Sequence, residues 1–263
     1  MAAGDERRVI LALSTSSDVE QVALIDGDEV LGHSAVTWRR GQPRRLLWTI
    51  DRLLREAGAP ALAAIAADVG PGSFTGLRLG LSTARALAWE LGLPAIGVGA
   101  AEVLVHQARQ RGASGPLVLW VPSRAGHVYR CSVEPTQRGA AAAFVELDVA
   151  TAAAELVGAP PLTLVAPTSS LRQLPAAVAD GHATVAIDAP DVVVIARLAR
   201  AVLDHADLDR AEAAPAAAQP GHGAEDAAFG SWSTLVPHYV GVSEAERSLQ
   251  VALQAKVLPV LRG

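Results

Sequence analysis

The sequence predicts an α/β protein built as two lobes, and three observations carry that prediction. Residues 8–37 read as three apolar strands in a meander, followed by helix, strand and helix. A strand, a polar turn and a second strand then restart after residue 116, echoing the opening of the chain. Within the first lobe lies a glycine-rich turn, Val69-Gly70-Pro71-Gly72-Ser73-Phe74-Thr75-Gly76-Leu77-Arg78-Leu79-Gly80. An apolar run enters it and a helical pattern leaves it.

Residues 8–13 form the first strand and 22–25 the second. The Asp26-Gly27-Asp28 turn folds back a third, over 30–37. Residues 44–57 read as a helix stopped by Gly58, with Pro60 beyond. Its expected core stripe is Leu46, Leu47, Ile50, Leu53, Leu54 and Ala57, with Trp48, Arg52 and Arg55 off it. In a second helix, 76–91, Leu77, Leu81, Ala84, Leu87, Ala88 and Leu91 are expected to face inward. Arg78, Ser82, Arg85 and Trp89 then line another side. Tryptophan and arginine are enriched at binding hot spots, so Trp48, Arg52, Arg78, Ser82, Arg85 and Trp89 are candidate partner contacts. The alternative is that each tryptophan lies along its own protein with an arginine stacked on it.

A strand at 95–98 and a helix at 100–111 complete the first lobe, residues 1–112. The break at 112–116 opens a second, smaller lobe, 113–210. Strands at 117–121 and 127–133 form its hairpin. Further strands near Phe144, at 162–165 and at 184–187 alternate with helices at 151–157, 170–174 and 191–206. Residues 211–230 are rich in Ala, Pro and Gly and read as a flexible linker. In the final segment, 231–263, Ser243-Glu244-Ala245-Glu246 is a capping box that leads a helix. That helix is expected to pack back onto the first lobe.

The glycine-rich turn has two readings. Amides at a turn that opens a helix favour an anion, which makes Gly70, Gly72, Ser73, Phe74, Thr75 and Gly76 a candidate phosphate contact. The strict spacings are missing, however. Leu77 follows Gly76 where a P-loop needs Lys, and Thr75 holds the third place of a dinucleotide fingerprint. Ser73 lacks the flanking glycines of a nucleophile elbow. The second reading is a strand-to-helix turn in which Ser73 or Thr75 caps the helix.

The run Gly-Pro-Gly-Ser-Phe-Thr-Gly-Leu-Arg-Leu-Gly at 70–80 closely resembles the signature of the TsaB (YeaZ) family of tRNA threonylcarbamoyladenosine biosynthesis proteins. The resemblance covers about the first 130 residues, with Pro237-His238-Tyr239 as a thin match near the end. It implies the actin/Hsp70/sugar-kinase-like (ASKHA) fold with a duplicated βββαβα core, which the opening meander also suits. In that superfold the first hairpin turn holds nucleotide phosphates, usually beside an acid on the first strand. Ser14 stands there, where the family commonly has Asp, and a hydroxyl cannot supply the charge that magnesium wants. Pro122 stands where the family usually has Asp in the later hairpin turn, leaving Arg124 as a weak candidate contact beside Ser14. The resemblance further implies a non-catalytic partner of the TsaD threonylcarbamoyltransferase, with the ATPase TsaE joining and tRNA met through the complex. No intrinsic cofactor is expected, and ATP or ADP with Mg would enter only with the complex. Alone, an exposed helical face could pair with a second copy.

Composition agrees with a chain that folds in a reducing cytoplasm. The 263 residues are 51% hydrophobic and 19% charged, and no apolar run is long enough to span a membrane without charge or proline. The polar start 1–8 is no signal peptide. A single cysteine, Cys131, reads as a small buried strand residue. Net charge is −5 and Lys256 is the sole lysine, which argues against strong autonomous binding of nucleic acid. None of the seven histidines lies four residues from another, so a metallopeptidase-like reading is remote. Carboxylates are scattered without an acid–base motif. The main alternative to a partner protein is a nucleotide-binding ATPase or kinase-like member of the same superfold.

Overall fold

The computed structural model describes residues 8–38, 45–135, 143–213 and Leu235. Two five-stranded sheets organise them. The first is built from β1 (Val9–Ser14), β2 (Val19–Asp26), β3 (Glu29–Thr37), β4 (Leu62–Asp68) and β5 (Ala95–Val98), in the order β3-β2-β1-β4-β5. The second contains β6 (Leu117–Pro122), β7 (His127–Val133), β8 (Val145–Asp148), β9 (Thr163–Ala166) and β10 (Ala183–Ala186), in the order β10-β9-β6-β7-β8. In each sheet the first three strands form an antiparallel meander and the last two add in parallel. Read from the third strand of each, the two orders are the same. The duplication that residue identities only hinted at is thus plain in the topology.

The helices fall in matching places. In the first half they are α1 (Leu46–Glu56) after the meander, α2 (Phe74–Leu91) between β4 and β5, and α3 (Ala100–Gln110) after β5. In the second they are α4 (Val149–Ala154), the short α5 (Thr168–Leu171) and α6 (Ala176–Ala179), and α7 (Val192–Ala213). The last helix runs three residues into the stretch expected as linker. The rest of that stretch and the capping-box helix lie outside the described residues.

Strand alternation sends β1 side chains to two cores. Val9, Leu11 and Leu13 join Leu46, Ile50 and Leu53 of α1 and Leu77, Leu81 and Ala84 of α2. Ile10 and Ala12 face Val192, Ile195, Ala196 and Ala199 of α7. Meanwhile Ala101, Leu104, Val105 and Ala108 of α3 pack on Leu117, Leu119 and Cys131 of the second sheet. The closing helix of each half therefore covers a sheet of the other, and this exchange draws the halves together. Leu235 is fully buried among the α1 and α2 residues, so the chain does return to the first sheet at that point.

Two expected core residues lie outside. Leu47 is 64% exposed and Leu91 is 51% exposed. Leu47 sits about 100° round the helix from Leu46, past the edge of the buried stripe. Leu91 is the last residue of α2 before the left-handed Gly92 (φ +63°) turns the chain away.

Candidate functional site

Two loops meet at the ends of β1 and β4, and a buried carboxylate organises both. Asp68, 3% exposed, ends β4. Its carboxylate accepts hydrogen bonds from Ser14 Oγ at 3.2 Å, from Ser16 Oγ, and from the Gly70 amide at 2.8 Å. The adjoining contacts clamp the loops face to face. Thr15 Oγ1 donates to the Gly76 carbonyl at 2.7 Å, and the Ser73 amide donates to the Ser16 carbonyl at 2.6 Å. Ser73 also caps α2, its hydroxyl accepting from the Gly76 amide at 3.2 Å.

This geometry explains the glycines of the central motif. A Cβ on Gly72 would press into the Ser16 backbone, and one on Gly76 into the Thr15 carbonyl. On Gly80 it would collide with the Thr15 hydroxyl. The motif is thus a surface against which residues 14–16 close. The amides of Gly70, Ser73, Gly76 and Leu77 all donate within the chain, so the capping reading accounts for them. Phe74 and Thr75 open the helix, with Thr75 exposed. The Asp68 carboxylate behind the turn disfavours a second anion there. Ser14 is fully buried and faces Asp68, so it lines no open turn.

The outer layer of the first sheet carries a different surface. Helix α1 lies over β2 and β3, and α2 lies beside it over β1, β4 and β5. Trp48 and Trp89 are 57% and 56% exposed, alongside the exposed Leu47 and Leu91. The Arg52 guanidinium sits 5.5 Å from the centre of the Trp48 ring and pairs with Glu56 at 3.0 Å. Arg78 stacks on the Phe74 ring at 4.0 Å. Ser82 donates to the Leu79 carbonyl at 3.0 Å. Arg85 is half-buried and donates to the Leu235 carbonyl, so it ties down the returning chain. The candidate contacts therefore divide: Trp48 and Trp89 face outward, whereas Arg85 is spent on the fold.

A cleft of about 360 Å³ lies between the halves. Its walls include Ser16, Ser17, Asp18 and Ser73 from one side and Trp120, Ser123, Ser169 and Asp188 from the other. Arg124 pairs with Glu146 at 3.4 Å and also meets the His127 ring. Asp148 caps α4 through Thr151, and those hydrogen bonds, the side-chain one foremost, hold its carboxyl below the usual range. Cys131 is buried as expected, and burial pushes its thiol up from 9.0 to about 11 against the opposing pull of Arg130. Among the described residues no three His, Cys, Asp or Glu side chains are grouped to hold a metal. Nor is any helix there long and apolar enough to cross a membrane.

Sequence reasoning passed over Asp68, whose one signal was a lone carboxylate closing an apolar strand. Trp120 and Asp188 also went unnoticed, since nothing local distinguishes them.

The profile of the family described as tRNA N6-adenosine threonylcarbamoyltransferase, TsaD, matches residues 39–208. The tRNA threonylcarbamoyladenosine biosynthesis protein TsaB of Bacillus subtilis is 32% identical over 123 residues, 46% of this chain and 52% of that protein. The Escherichia coli TsaB is 30% identical over 132 residues, 49% of this chain and 57% of its own. The chain thus spans about half the length of the curated relatives it matches. A tRNA N6-adenosine threonylcarbamoyltransferase of Streptococcus pneumoniae is 33% identical over 109 residues, 35% of this chain and 32% of that protein. In fold, YeaZ from Pseudomonas aeruginosa superposes with a TM-score of 0.63 at 24% identity, over 89% of this chain and 100% of that one. The chain belongs to the TsaD family, and within it is similar to TsaB (YeaZ) proteins.

Proposed function

We propose that the protein is the non-catalytic partner of a TsaD-type transferase in forming threonylcarbamoyladenosine on ANN-decoding tRNA, acting in the cytoplasm. The observation that carries this reading is the outer face of α1 and α2. Two tryptophans and two leucines there are each more than half exposed, on helices whose inner faces are well packed. Large apolar side chains displayed on a rigid layer are what a helical partner buries. The occupant is a TsaD-type transferase because the chain's own family joins TsaB proteins and transferases. A TsaE-like ATPase joins the assembly, and tRNA is met through the complex. Without its partner, the same face pairs with a second copy.

The closed packing of the glycine-rich turn supports a scaffold role over a nucleotide-driven one. Any ATP or ADP with Mg therefore belongs to the complex.

The test is co-purification with the TsaD of the same organism, followed by threonylcarbamoyladenosine formation with and without this protein. Association together with dependence is the expected result. Neither association nor any effect on product would overturn the reading.

A further inference from the structure

The chain comes back to the outer face of the first sheet at a fixed point. Leu235 is fully buried against α1 and α2, and Arg85 of α2 donates to its carbonyl. Residues 236–263, outside the described part, follow directly in the sequence. They therefore set out from beside the surface that carries Trp48 and Trp89. On α2 that surface is one stripe, because Arg78, Ser82, Arg85 and Trp89 recur at helical spacing. Its two ends differ in charge. Arg78 lies over the Phe74 ring with no carboxylate partner among the described residues. At the other end Trp89 is half-exposed, and Glu90 beside it is exposed.

The sequence that follows Leu235 matches this stripe. Behind the Ser243–Glu246 capping box, Leu249, Ala252, Leu253 and Val257 fall on one helical face. Glu246 and Lys256 flank that face near its two ends, about 15 Å apart along a helix. Arg78 and Trp89 are about 16 Å apart along α2 by the same rise. Laid parallel to α2, Glu246 meets Arg78, and Lys256 meets the Trp89 ring and Glu90. Laid the other way, Glu246 would face Glu90 and Lys256 would face Arg78. Charge thus selects the parallel direction. The connection is long enough, since residues 236–242 reach about 23 Å when extended. Arg85 to Arg78 spans only about 10 Å of helix.

We propose that residues 243–258 cover the outer face of α2 in the isolated chain and are displaced when a partner docks. The inference rests on reading that face as the seat of a TsaD-type partner, and it adds the regulation of that site. A segment tied down at Leu235 by a short connection acts at a millimolar effective concentration. It therefore competes with a partner, and with a second copy, at every protein concentration. Its own contacts are modest, because the apolar face is narrow and exposed ion pairs contribute little. The cover is strong enough to shield large apolar side chains and weak enough to yield to a larger interface.

The experiment uses the full chain, first without any partner. Indole N–H resonances are followed by NMR and assigned through single Trp→Phe variants, with the buried Trp120 reporting that each variant is folded. In the natural chain the Trp89 resonance is expected to hold its position as protein concentration is varied. In the double variant Leu249→Asp, Leu253→Asp it should shift and exchange faster with water, while Trp120 stays put. Glu246→Arg should do the same, and adding Arg78→Glu should restore the natural position. The proposal is overturned if Trp89 ignores the aspartates or the charge swap restores nothing. A Trp89 shift that follows concentration would make a second copy the occupant, and would overturn it too. Calorimetry with the TsaD of the same organism then reads the competition. The aspartate variant should bind about tenfold tighter if the face is open about one tenth of the time in the natural chain. Unchanged affinity beside a shifted Trp89 would overturn the competition. Binding by neither chain would remove the partner reading instead, and the Trp89 result would decide the cover by itself.

Discussion

Ser14 donates its hydroxyl to the buried carboxylate of Asp68 at 3.2 Å, which turns the end of β1 inward. Asp68 gathers Ser14, Ser16 and the Gly70 amide, three donors from both sides of the loop junction. Replacing it with alanine strands all three, and each buried donor left unmet costs about 1–3 kcal/mol. Asp68→Ala is therefore expected to lose roughly 3 kcal/mol or more in urea unfolding, and Asp68→Asn less. An unchanged midpoint for the alanine variant would show that the junction does not depend on this carboxylate.

The close approach at Gly76 gives a second expectation. Its added Cβ would meet the Thr15 carbonyl, a backbone atom that cannot swing aside. Gly112 has φ +85° but open space around it. Gly112→Ala should cost only the strain of a left-handed residue, about 1–2 kcal/mol, and Gly76→Ala distinctly more. Thermal melting of the pair settles the order, and equal losses would contradict the packing.

Much of the architecture was legible because it rests on local patterns. The meander followed from apolar runs around Asp26-Gly27-Asp28, and the end of α1 from Gly58. The second half restarted visibly at residue 117. What escaped depends on partners distant in sequence. Asp68 meets Ser14 and Ser16 more than fifty residues away, and no spacing rule announces that. The same holds for the swap of α3 and α7 between sheets, since helical periodicity names a buried stripe but not the sheet it covers. Leu47 was misplaced because its neighbour Leu46 is buried and a stripe's edge cannot be drawn from hydrophobicity alone. Helix α6 was missed because Ala176-Ala177-Val178-Ala179 shows no period.

Cys131 predicts a loss of stability in alkali. Its folded pKa is raised, to about 11 from 9.0, because burial disfavours the thiolate. The neutral thiol's contribution is thus fully present below pH 9 and lost as pH climbs towards 11, since only the unfolded chain ionises readily in that window. A tenfold change in acidity is worth about 1.4 kcal/mol, and solvent screening trims the total, so the loss is roughly 2 kcal/mol or less. Denaturant midpoints measured across this range should fall more steeply for the natural protein than for Cys131→Ala. Parallel curves would mean that the thiol titrates normally in the fold.

Arg85 and Trp89 lie one helical turn apart on α2 but differ in burial. Arg85 donates to the Leu235 carbonyl, and the Leu235 side chain is fully buried against α1 and α2. Trp89 is 56% exposed and Trp48 on α1 is 57% exposed. Leu235→Ala should therefore cost about 2–5 kcal/mol of stability, the range for emptying a buried leucine site, and Arg85→Ala a smaller amount through the same anchor. Trp48→Ala and Trp89→Ala should leave the unfolding midpoint nearly unchanged but weaken binding to a TsaD-type partner by about 2 kcal/mol or more each. Calorimetric titration of the four variants beside their melting curves separates the two roles. If Trp89→Ala destabilised the isolated protein as much as Leu235→Ala does, the tryptophan would belong to the fold, and the partner surface would have to lie on another side of α2.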